Sequence, residues 1–440
     1  MRASTLRRLL QTRFAGPTRS GNLRLRSPLP LLWIAAAFVA ALLLPDRIWT
    51  TFLVGLGGLF LIAYFWANRL LHGLEAQRRL RFGWVAVGDR LGESFVLTNA
   101  APVPAFWVQI VDHSTVPDYR PAVVRSVGAA GVERWRQDAV CRRRGQYHLG
   151  PWELHSADPF GIFSISINYA QTEELIIHPP IHSELPIPLP SGQSSGRSRA
   201  RERSWQATIN AAAVRDYVVG DPWRWIHWPT SARHDKLYVR QFDLDAAGDV
   251  WLLLDLQAAA QVGEGVEGSE EHAVLLAAAL IGRARQENRP MGLASYGRRP
   301  QVIPPGQGAG QEWRLLRTLA LVSADGNTDL RLALHDLSRV ARRGSAAVII
   351  TPTAHAEWLP SLITLSQAGV QPHVILLERT SFGDDTGNLG LRDAIRQLGF
   401  NCYVVRRGDV GLPPDPSERR GYWQFRTLAT GKVVVVQRPD

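Results

Sequence analysis

Residues Leu29 to Asn68 read LPLLWIAAAFVAALLLPDRIWTTFLVGLGGLFLIAYFWAN, two uncharged apolar runs separated by Pro45-Asp46-Arg47. A helix needs about 20 apolar residues, at about 1.5 Å each, to cross a bilayer. The second run, Ile48 to Asn68, meets that length, and the first, Leu29 to Leu44, is a little short. Because so short a connection allows only a tight turn, the sequence predicts a transmembrane hairpin of two antiparallel helices over residues 29–68.

Arginine is concentrated on both sides of this hairpin. Seven arginines precede the first run and four follow the second, whereas the turn holds one, Arg47, beside Asp46. Since basic flanks stay in the cytoplasm, we expect a two-pass protein of the plasma (inner) membrane with a basic cytoplasmic tail over residues 1–28 and both termini cytoplasmic. A cleaved signal peptide is disfavoured because a second, better span follows at once. Two buried core helices are disfavoured because neither run has a polar face.

The composition limits the remaining classes of function. The 440 residues are 45% hydrophobic and 20% charged, which favours folded domains, and two cysteines, Cys141 and Cys402, exclude a disulfide scaffold and a cysteine-rich zinc module. The net charge of +11 lies largely in arginines near the apolar runs, so the lipid bilayer is the expected partner. No specific nucleic acid is expected, because no RNA- or DNA-binding motif is present.

The rest of the chain divides by pattern. Short runs of alternating hydrophobicity with regular turn signals predict a small β-sandwich over residues 75–182. A stretch rich in Pro, Ser, Gly and Arg predicts a linker over residues 183–210. Apolar strands then alternate with helical segments, which predicts an α/β domain with a doubly wound, mainly parallel sheet over residues 211–440. The segment Phe425 to Gln437 is expected to add an antiparallel edge hairpin.

Two motifs carry a family resemblance. Val214 to Arg240 reads VRDYVVGDPWRWIHWPTSARHDKLYVR and resembles the signature of the bacterial DUF (domain of unknown function) fifty-eight family. The matching positions are Arg215, Asp216, Tyr217, Gly220, Asp221, Arg224, Ile226, Trp228, Ser231, Ala232 and Arg233. Upstream, Arg143-Arg144-Gly145, Tyr147, Gly150-Pro151 and Asp158 to Phe163 (DPFGIF) resemble a second family motif. One position departs: His227 stands where an Asp is common, and a mostly neutral imidazole cannot act there as a fixed anion.

The resemblance implies that the α/β domain is von Willebrand factor A-like. Such domains often bind Mg²⁺ through a D-x-S-x-S loop, a Thr on a second loop and an Asp on a third. Here the first loop reads Asp255-Leu256-Gln257-Ala258-Ala259, the second keeps Thr328, and Thr351-Pro352 replaces the expected carboxylate. Because a hard cation needs several oxygen ligands, we expect a degenerate site with no metal and no cofactor. We expect Asp255 instead to cap the following segment or to bond the neighbouring backbone.

A polar and aromatic cluster is the remaining candidate site. Trp, Tyr and Arg dominate interface hot spots because they bury a large area and keep a polar group. The predicted partner-binding residues are Trp223, Arg224, Trp225, Trp228 and Arg233. The same composition also suits a segment that packs on its own domain, and this alternative stays open.

The sequence therefore predicts a membrane-tethered, non-enzymatic protein-interaction or scaffold module, since no motif of a known catalytic class is present. The resemblance implies a MoxR-type AAA+ ATPase as partner. The alternative hypothesis is a divalent-metal-dependent binding domain, or a hydrolase, centred on Asp255 and Thr328.

Overall fold

The computed structural model describes residues 13–16, 18–44, 46–80, 85–119, 122–181, 187–190, 211–218, 223, 226–242, 248–410, 424–427 and 433–437. The chain forms two compact units. The first comprises Met1–Pro180, Leu316–Leu321 and Gly411–Asp440, and the second comprises Ile181–Leu315 and Val322–Val410.

Two strands and two helices open the first unit. The elements are β1 (Arg13–Ala15), β2 (Arg19–Leu25), α1 (Leu29–Leu43) and α2 (Arg47–Gly73). Asp46 caps α2, since its carboxylate accepts a hydrogen bond from the Ile48 amide at 3.1 Å. Among the described helices, α2 is long and apolar enough to cross a membrane, and α1 is apolar but shorter. The helix bounds agree with the two predicted runs.

The residues before α1 are built into a sheet. β2 pairs over its whole length with a later strand, Phe163–Tyr169, although composition assigns these residues to a basic tail. Leu23 and Leu25 are buried and alternate with exposed Arg24 and Arg26, which is the pattern of a strand with one covered face. Arg19, at the start of β2, donates to the carbonyls of Leu71 and Leu74. Its guanidinium thus satisfies carbonyl groups that the C-terminus of α2 leaves without helical partners.

The strands expected between residues 75 and 182 are present in three sheets. They are β3 (Leu74–Leu80), β4 (Val85–Ala86), β5 (Arg90–Asn99), β6 (Ala105–Asp112), β7 (Val123–Val127), β8 (Val132–Val140), β9 (Gly145–Leu149), β10 (Trp152–Ala157), β11 (Phe163–Tyr169) and β12 (Glu173–His178). One antiparallel sheet has the order β1-β2-β11-β10-β6-β7, and smaller sheets have the orders β3-β5-β8 and β4-β12-β9.

The second half of α2 covers one face of the six-stranded sheet. Phe60 and Tyr64 contact the ring of Phe163, with centroids 5.1 and 5.6 Å apart. Ala63, Ala67, Leu70 and Leu71 are fully buried in the same hydrophobic core. Two alanines on this side of the helix allow close approach to the sheet. The last turns of α2 therefore belong to the core of the first unit.

The second unit begins with a short β-α-β segment. It consists of β13 (Ala211–Asp216), α3 (Trp228–His234) and β14 (Tyr238–Phe242), and the two strands pair antiparallel. Most of the predicted linker lies outside the described residues. Its described part, residues 187–190, buries Ile187 and Leu189, and Arg289 donates to the Pro190 carbonyl at 2.5 Å. This part of the predicted linker is thus packed on the second unit.

A six-stranded sheet forms the centre of the second unit. Its elements are β15 (Val250–Leu254), α4 (Ser269–Gln286), β16 (Met291–Tyr296), β17 (Pro300–Gly306), α5 (Ala309–Leu321), α6 (Leu330–Val340), β18 (Ala346–Thr351), α7 (Leu359–Gln367), β19 (Gln371–Leu377), α8 (Leu389–Gln397) and β20 (Asn401–Val405). The order is β17-β16-β15-β18-β19-β20, with every neighbouring pair parallel except β16 and β17. This agrees with the predicted doubly wound sheet, whose strand order reverses beside the first strand.

Both faces of this sheet are covered. Trp251 and Leu253 pack in a core with residues of α6, α7 and α8. Leu252 and Leu254 alternate with them, so they point to the opposite face, and they are equally buried. The segment predicted as an edge hairpin forms β21 (Gln424–Thr427) and β22 (Val433–Gln437), which make a two-stranded sheet of their own.

Candidate functional site

The predicted partner-binding cluster lies on the segment from β13 to β14. Ile226 pairs with Val239, and both side chains are buried. The Ser231 hydroxyl donates to the His227 carbonyl at 3.0 Å and accepts from the Tyr238 amide at 2.9 Å. These contacts fix α3 against β14, so the side chains that α3 carries are presented by an ordered scaffold.

His227 begins α3. Its Nδ1 accepts a hydrogen bond from the Thr230 amide at 3.3 Å and lies 2.8 Å from the Thr230 hydroxyl oxygen. A helix N-cap requires an acceptor for the orphan amides of the first turn, and a neutral imidazole provides one. The sequence argument that His227 cannot act as a fixed anion is therefore no obstacle to a capping role.

The two described tryptophans of the cluster are exposed to solvent. Trp223 is 66% exposed and Trp228 is 61% exposed, and the exposed Val218 lies nearby in sequence. Trp223 contacts the ring of Tyr217, with centroids 6.2 Å apart. Arg233 is exposed as well. Trp228 and Arg233 share α3, and Trp223 precedes it by a few residues. Arg224 and Trp225 lie outside the described residues.

The second candidate site is the carboxyl edge of the six-stranded sheet. Asp255 directly follows β15 and is buried. One of its carboxylate oxygens accepts from the Thr351 hydroxyl at 2.6 Å, and the other accepts from the Gln257 amide at 3.2 Å. The first and second loops are also joined, because the Ala258 amide donates to the Gly326 carbonyl at 2.8 Å. The loops that the resemblance implies are therefore adjacent.

The side chains at this edge bond to one another. Thr351, which stands at the third-loop position, donates to Asp255 and thereby links the ends of β15 and β18. Asp329, next to Thr328, caps α6 by accepting from the Arg331 amide at 2.9 Å and pairs with the Arg331 guanidinium. Burial raises the pKa of Asp255, and the Thr351 hydrogen bond only partly opposes this shift. The expected bonding role of Asp255 agrees with this geometry.

The donor set does not favour a divalent cation. Magnesium requires near-octahedral oxygen ligation with several charged or carbonyl donors. Within the described residues, no group of three or more His, Cys, Asp or Glu side chains is placed to hold a metal ion. Each carboxylate oxygen of Asp255 already accepts a hydrogen bond from within the fold.

Sequence reasoning missed a buried ionic cluster in the first unit. Arg78 belongs to the basic residues that flank the predicted membrane segment, but it pairs with Glu93 at 2.8 Å and with Asp112 at 3.1 Å. Tyr119 donates to Glu93 in the same cluster. A sequence signal was present, because Leu74, Ala76 and Arg78 follow one another at intervals of two and therefore lie on the same, covered face of β3.

This chain is similar to proteins of other bacteria. The uncharacterized protein YeaD of Bacillus subtilis is 23% identical over 297 residues, which cover 64% of this chain and 71% of that protein. An uncharacterized protein of Mycobacterium tuberculosis is 29% identical over 189 residues, or 41% of this chain and 59% of the relative. Among solved structures, BatB from Bacteroides thetaiotaomicron matches with a TM-score of 0.29 and 15% identity, over 36% of this chain and 90% of that one.

The motif at Val214 to Arg240 lies within a wider match. Residues 213–377 correspond to the family model described as "Protein of unknown function DUF58", which confirms the resemblance that this motif indicated.

Proposed function

We propose that the protein is a membrane-tethered, non-enzymatic interaction module whose partner surface is formed by Trp223, Arg224, Trp225, Trp228 and Arg233. The observation that carries the proposal is the exposure of Trp223 and of Trp228, the latter on a helix that the Ser231 hydrogen bonds fix to β14. Large aromatic side chains that remain exposed on an ordered scaffold favour recruitment of a partner over packing within the domain.

The tether is the hairpin of α1 and α2. The apolar length of α2 and the exposed apolar side chains along both helices support insertion into a bilayer. The pairing of β2 with β11 gives independent support for the two-pass topology. Because β2 precedes the hairpin and β11 follows it, both flanks must lie on the same side of the membrane. The basic flanks favour the cytoplasmic side of the inner membrane.

The α/β unit presents the partner surface. Its strand order, with an antiparallel edge strand, and the adjacent loops at Asp255 and Gly326 suit a von Willebrand factor A-like domain. The antiparallel sheets of the first unit suit the predicted β-sandwich. Since both carboxylate oxygens of Asp255 accept hydrogen bonds within the fold, adhesion by surface complementarity is the proposed mode of action.

The proposed partner is a MoxR-type AAA+ ATPase, and co-purification tests it. The full chain and such an ATPase from the same organism are co-expressed, and the chain is isolated from membranes in detergent. A stoichiometric complex is expected, and Trp223→Ala with Trp228→Ala should lower ATPase recovery at least about tenfold, because hot-spot truncations cost about 2 kcal/mol or more each.

Trp313→Ala is the matched control, because Trp313 is 43% exposed on α5, away in sequence from the cluster. It should retain the ATPase at the level of the unaltered chain. Recovery of the chain without the ATPase or another stoichiometric partner would contradict the proposal. Equal losses from Trp313→Ala and from the double variant would contradict the assignment of the surface.

A further inference from the structure

The part of the hairpin that extends beyond the sheet is shorter than the thickness of the hydrocarbon core of a bilayer. α1 has 15 residues, which span about 22 Å. In α2, the first residues packed against the sheet core are Leu59 and Phe60, so about 18 Å of this helix extends beyond the sheet. The hydrocarbon core is about 30 Å thick. A hairpin that crosses it must therefore draw the adjacent end of the six-stranded sheet up to the lipid.

The strand register identifies that end of the sheet. The Arg26 amide donates to the Ile162 carbonyl at 2.8 Å, only three residues before α1 begins. β11 runs from this point to Tyr169, which contacts the Ala76 amide beyond the end of α2. The antiparallel register places the start of β6 and the end of β10 at the same end as Ile162. The turn after β10 and the start of β6 therefore face the bilayer.

Both of these places carry an exposed phenylalanine. Phe106, near the start of β6, is 58% exposed, and Phe160, in the turn after β10, is 50% exposed. Phe106 stacks on Trp66 of α2, with ring centroids 5.8 Å apart, and the Trp66 indole N–H donates to the Pro104 carbonyl at 3.0 Å. Aromatic rings of this kind are enriched where the headgroups meet the hydrocarbon.

The turn that carries Phe160 is held rigidly. The buried carboxylate of Asp158 accepts from the amides of Phe160, at 2.8 Å, and Phe163, at 2.5 Å. Gly161 has φ = +69°, which suits glycine in so tight a turn. The motif Asp158 to Phe163 thus fixes an apolar ring outward at the membrane end of the sheet.

Basic residues lie close to the same end of the sheet as Phe106 and Phe160. Arg69 lies one helical turn below Phe65 on α2, and its guanidinium is 4.8 Å from the centroid of the half-exposed Phe65 ring. Arg24 and Arg26 are exposed on β2, just before α1. Cations beside aromatic rings at the end of an apolar helix match the chemistry of anionic lipid headgroups.

We propose that Phe106 and Phe160, with Trp66, form a rim that inserts into the headgroup layer of the bilayer that holds the hairpin. This inference rests on the proposed membrane tether and adds a second, lipid-binding surface on the sheet. It assigns the DPFGIF turn to lipid contact. The sheet backbone stays outside the hydrocarbon, because its edge would leave polar groups unsatisfied there.

Fluorescent labels on cysteines that are introduced one at a time into the full chain test the rim. Phe160→Cys and Phe106→Cys are each labelled with a nitrobenzoxadiazole probe in vesicles of phosphatidylcholine and phosphatidylglycerol. Cys141 and Cys402 are buried, and burial raises their thiol pKa to about 12 and about 11, so they react slowly at neutral pH. Thr172→Cys is the matched control, since Thr172 is exposed beyond the far end of β11.

Headgroup-level doxyl lipid should quench both rim labels at least about twofold more than the Thr172 label, and aqueous iodide should show the opposite order. Val54→Cys reports on the tether, because Val54 is 74% exposed on α2. For the Val54 label the quencher is a lipid with the doxyl group on the acyl chain. If that lipid quenches the Val54 label while both rim labels behave like Thr172 towards the headgroup-level lipid, the rim is refuted and the tether stands. If the acyl-chain doxyl lipid does not quench the Val54 label, the tether and the rim fail together.

Discussion

At position 227 an imidazole stands where the related signature commonly has a carboxylate, and it supplies the acceptor that α3 needs. His227→Ala should therefore destabilise the segment that carries Trp228 by about 1 kcal/mol, which is typical for loss of an N-cap. His227→Asp should restore most of that stability, because a carboxylate accepts the same amide. Hydrogen exchange of the Thr230 amide measures both effects. Equal protection in all three proteins would show that the ring does not cap the helix.

Asp255 offers a test of bonding against metal binding. Asp255→Ala leaves the Thr351 hydroxyl and the Gln257 amide without their acceptor, so a loss of about 1 to 3 kcal/mol is expected. Asp255→Asn keeps an acceptor oxygen and should lose much less. Chemical unfolding in the presence of a chelator measures the difference. Saturable Mg²⁺ or Mn²⁺ binding by calorimetry, abolished by Asp255→Ala, would instead favour the metal-dependent alternative.

The contribution of Asp255 to folding stability depends on pH, and the direction of its pKa shift fixes the sign of that dependence. Burial raises the pKa of Asp255, so the folded state binds the carboxyl proton more tightly than the unfolded state does. The contribution of Asp255 to stability is fully present below the unfolded pKa of about 4, and it falls as the pH rises through the folded pKa. Asp255→Asn should therefore gain stability relative to the unaltered chain between pH 4 and pH 7. A constant difference across that range would contradict the shift.

At the scale of elements, the contact between α2 and β11 joins the hairpin to the sheet. Phe163 is fully buried against Phe60 and Tyr64, so Phe163→Ala should cost about 3 to 5 kcal/mol. Phe160→Ala, three residues away and half exposed, should change the stability by well under 1 kcal/mol. Thermal unfolding of the detergent-solubilised chain compares them. Similar losses for the two variants would mean that the sheet does not depend on this contact.

Local sequence pattern predicts those elements that a continuous apolar run marks. The bounds of α1 follow from the run Leu29 to Leu44, and the sequence predicts them to within one residue. In β17, Pro300, Pro304 and Pro305 interrupt the pattern of a strand, and such a strand is found at a sheet edge. β2 was missed because its arginines resemble a membrane flank, while its partner strand lies about 140 residues later. Pairing over that distance leaves no local signal.

The two candidate sites were likewise predictable only in part from the sequence. The sequence placed Asp255 directly after the first strand of the sheet, and the structure has it there, buried at the carboxyl end of β15. It did not identify Thr351 as the hydrogen-bond donor to Asp255, because that contact joins the ends of two strands far apart in the chain. The exposure of Trp223 and Trp228 also required the structure, since their composition alone fits packing within the domain equally well.

For the whole molecule, the first 26 residues are expected to contribute to stability. Deleting them removes Leu23 and Leu25 from the core and leaves β11 as an unpaired edge strand. The truncated chain should unfold at a lower temperature and aggregate in detergent, as size-exclusion chromatography would report. Arg24→Gln with Arg26→Gln is the control, because both side chains are exposed and the strand stays intact. An unchanged melting temperature after truncation would show that these residues do not stabilise the sheet and would favour the predicted basic tail.

The pairing of β2 with β11 also sets an order of events during synthesis. The ribosome releases Arg19–Leu25 first, and the strand that must receive it, Phe163–Tyr169, emerges on the order of ten seconds later at ordinary translation rates. Both apolar helices leave the exit tunnel within that interval. If the hairpin inserts into the bilayer as proposed, insertion of the nascent chain therefore finishes while the sheet is still open, and pairing of the late strand with β2 then completes the sheet.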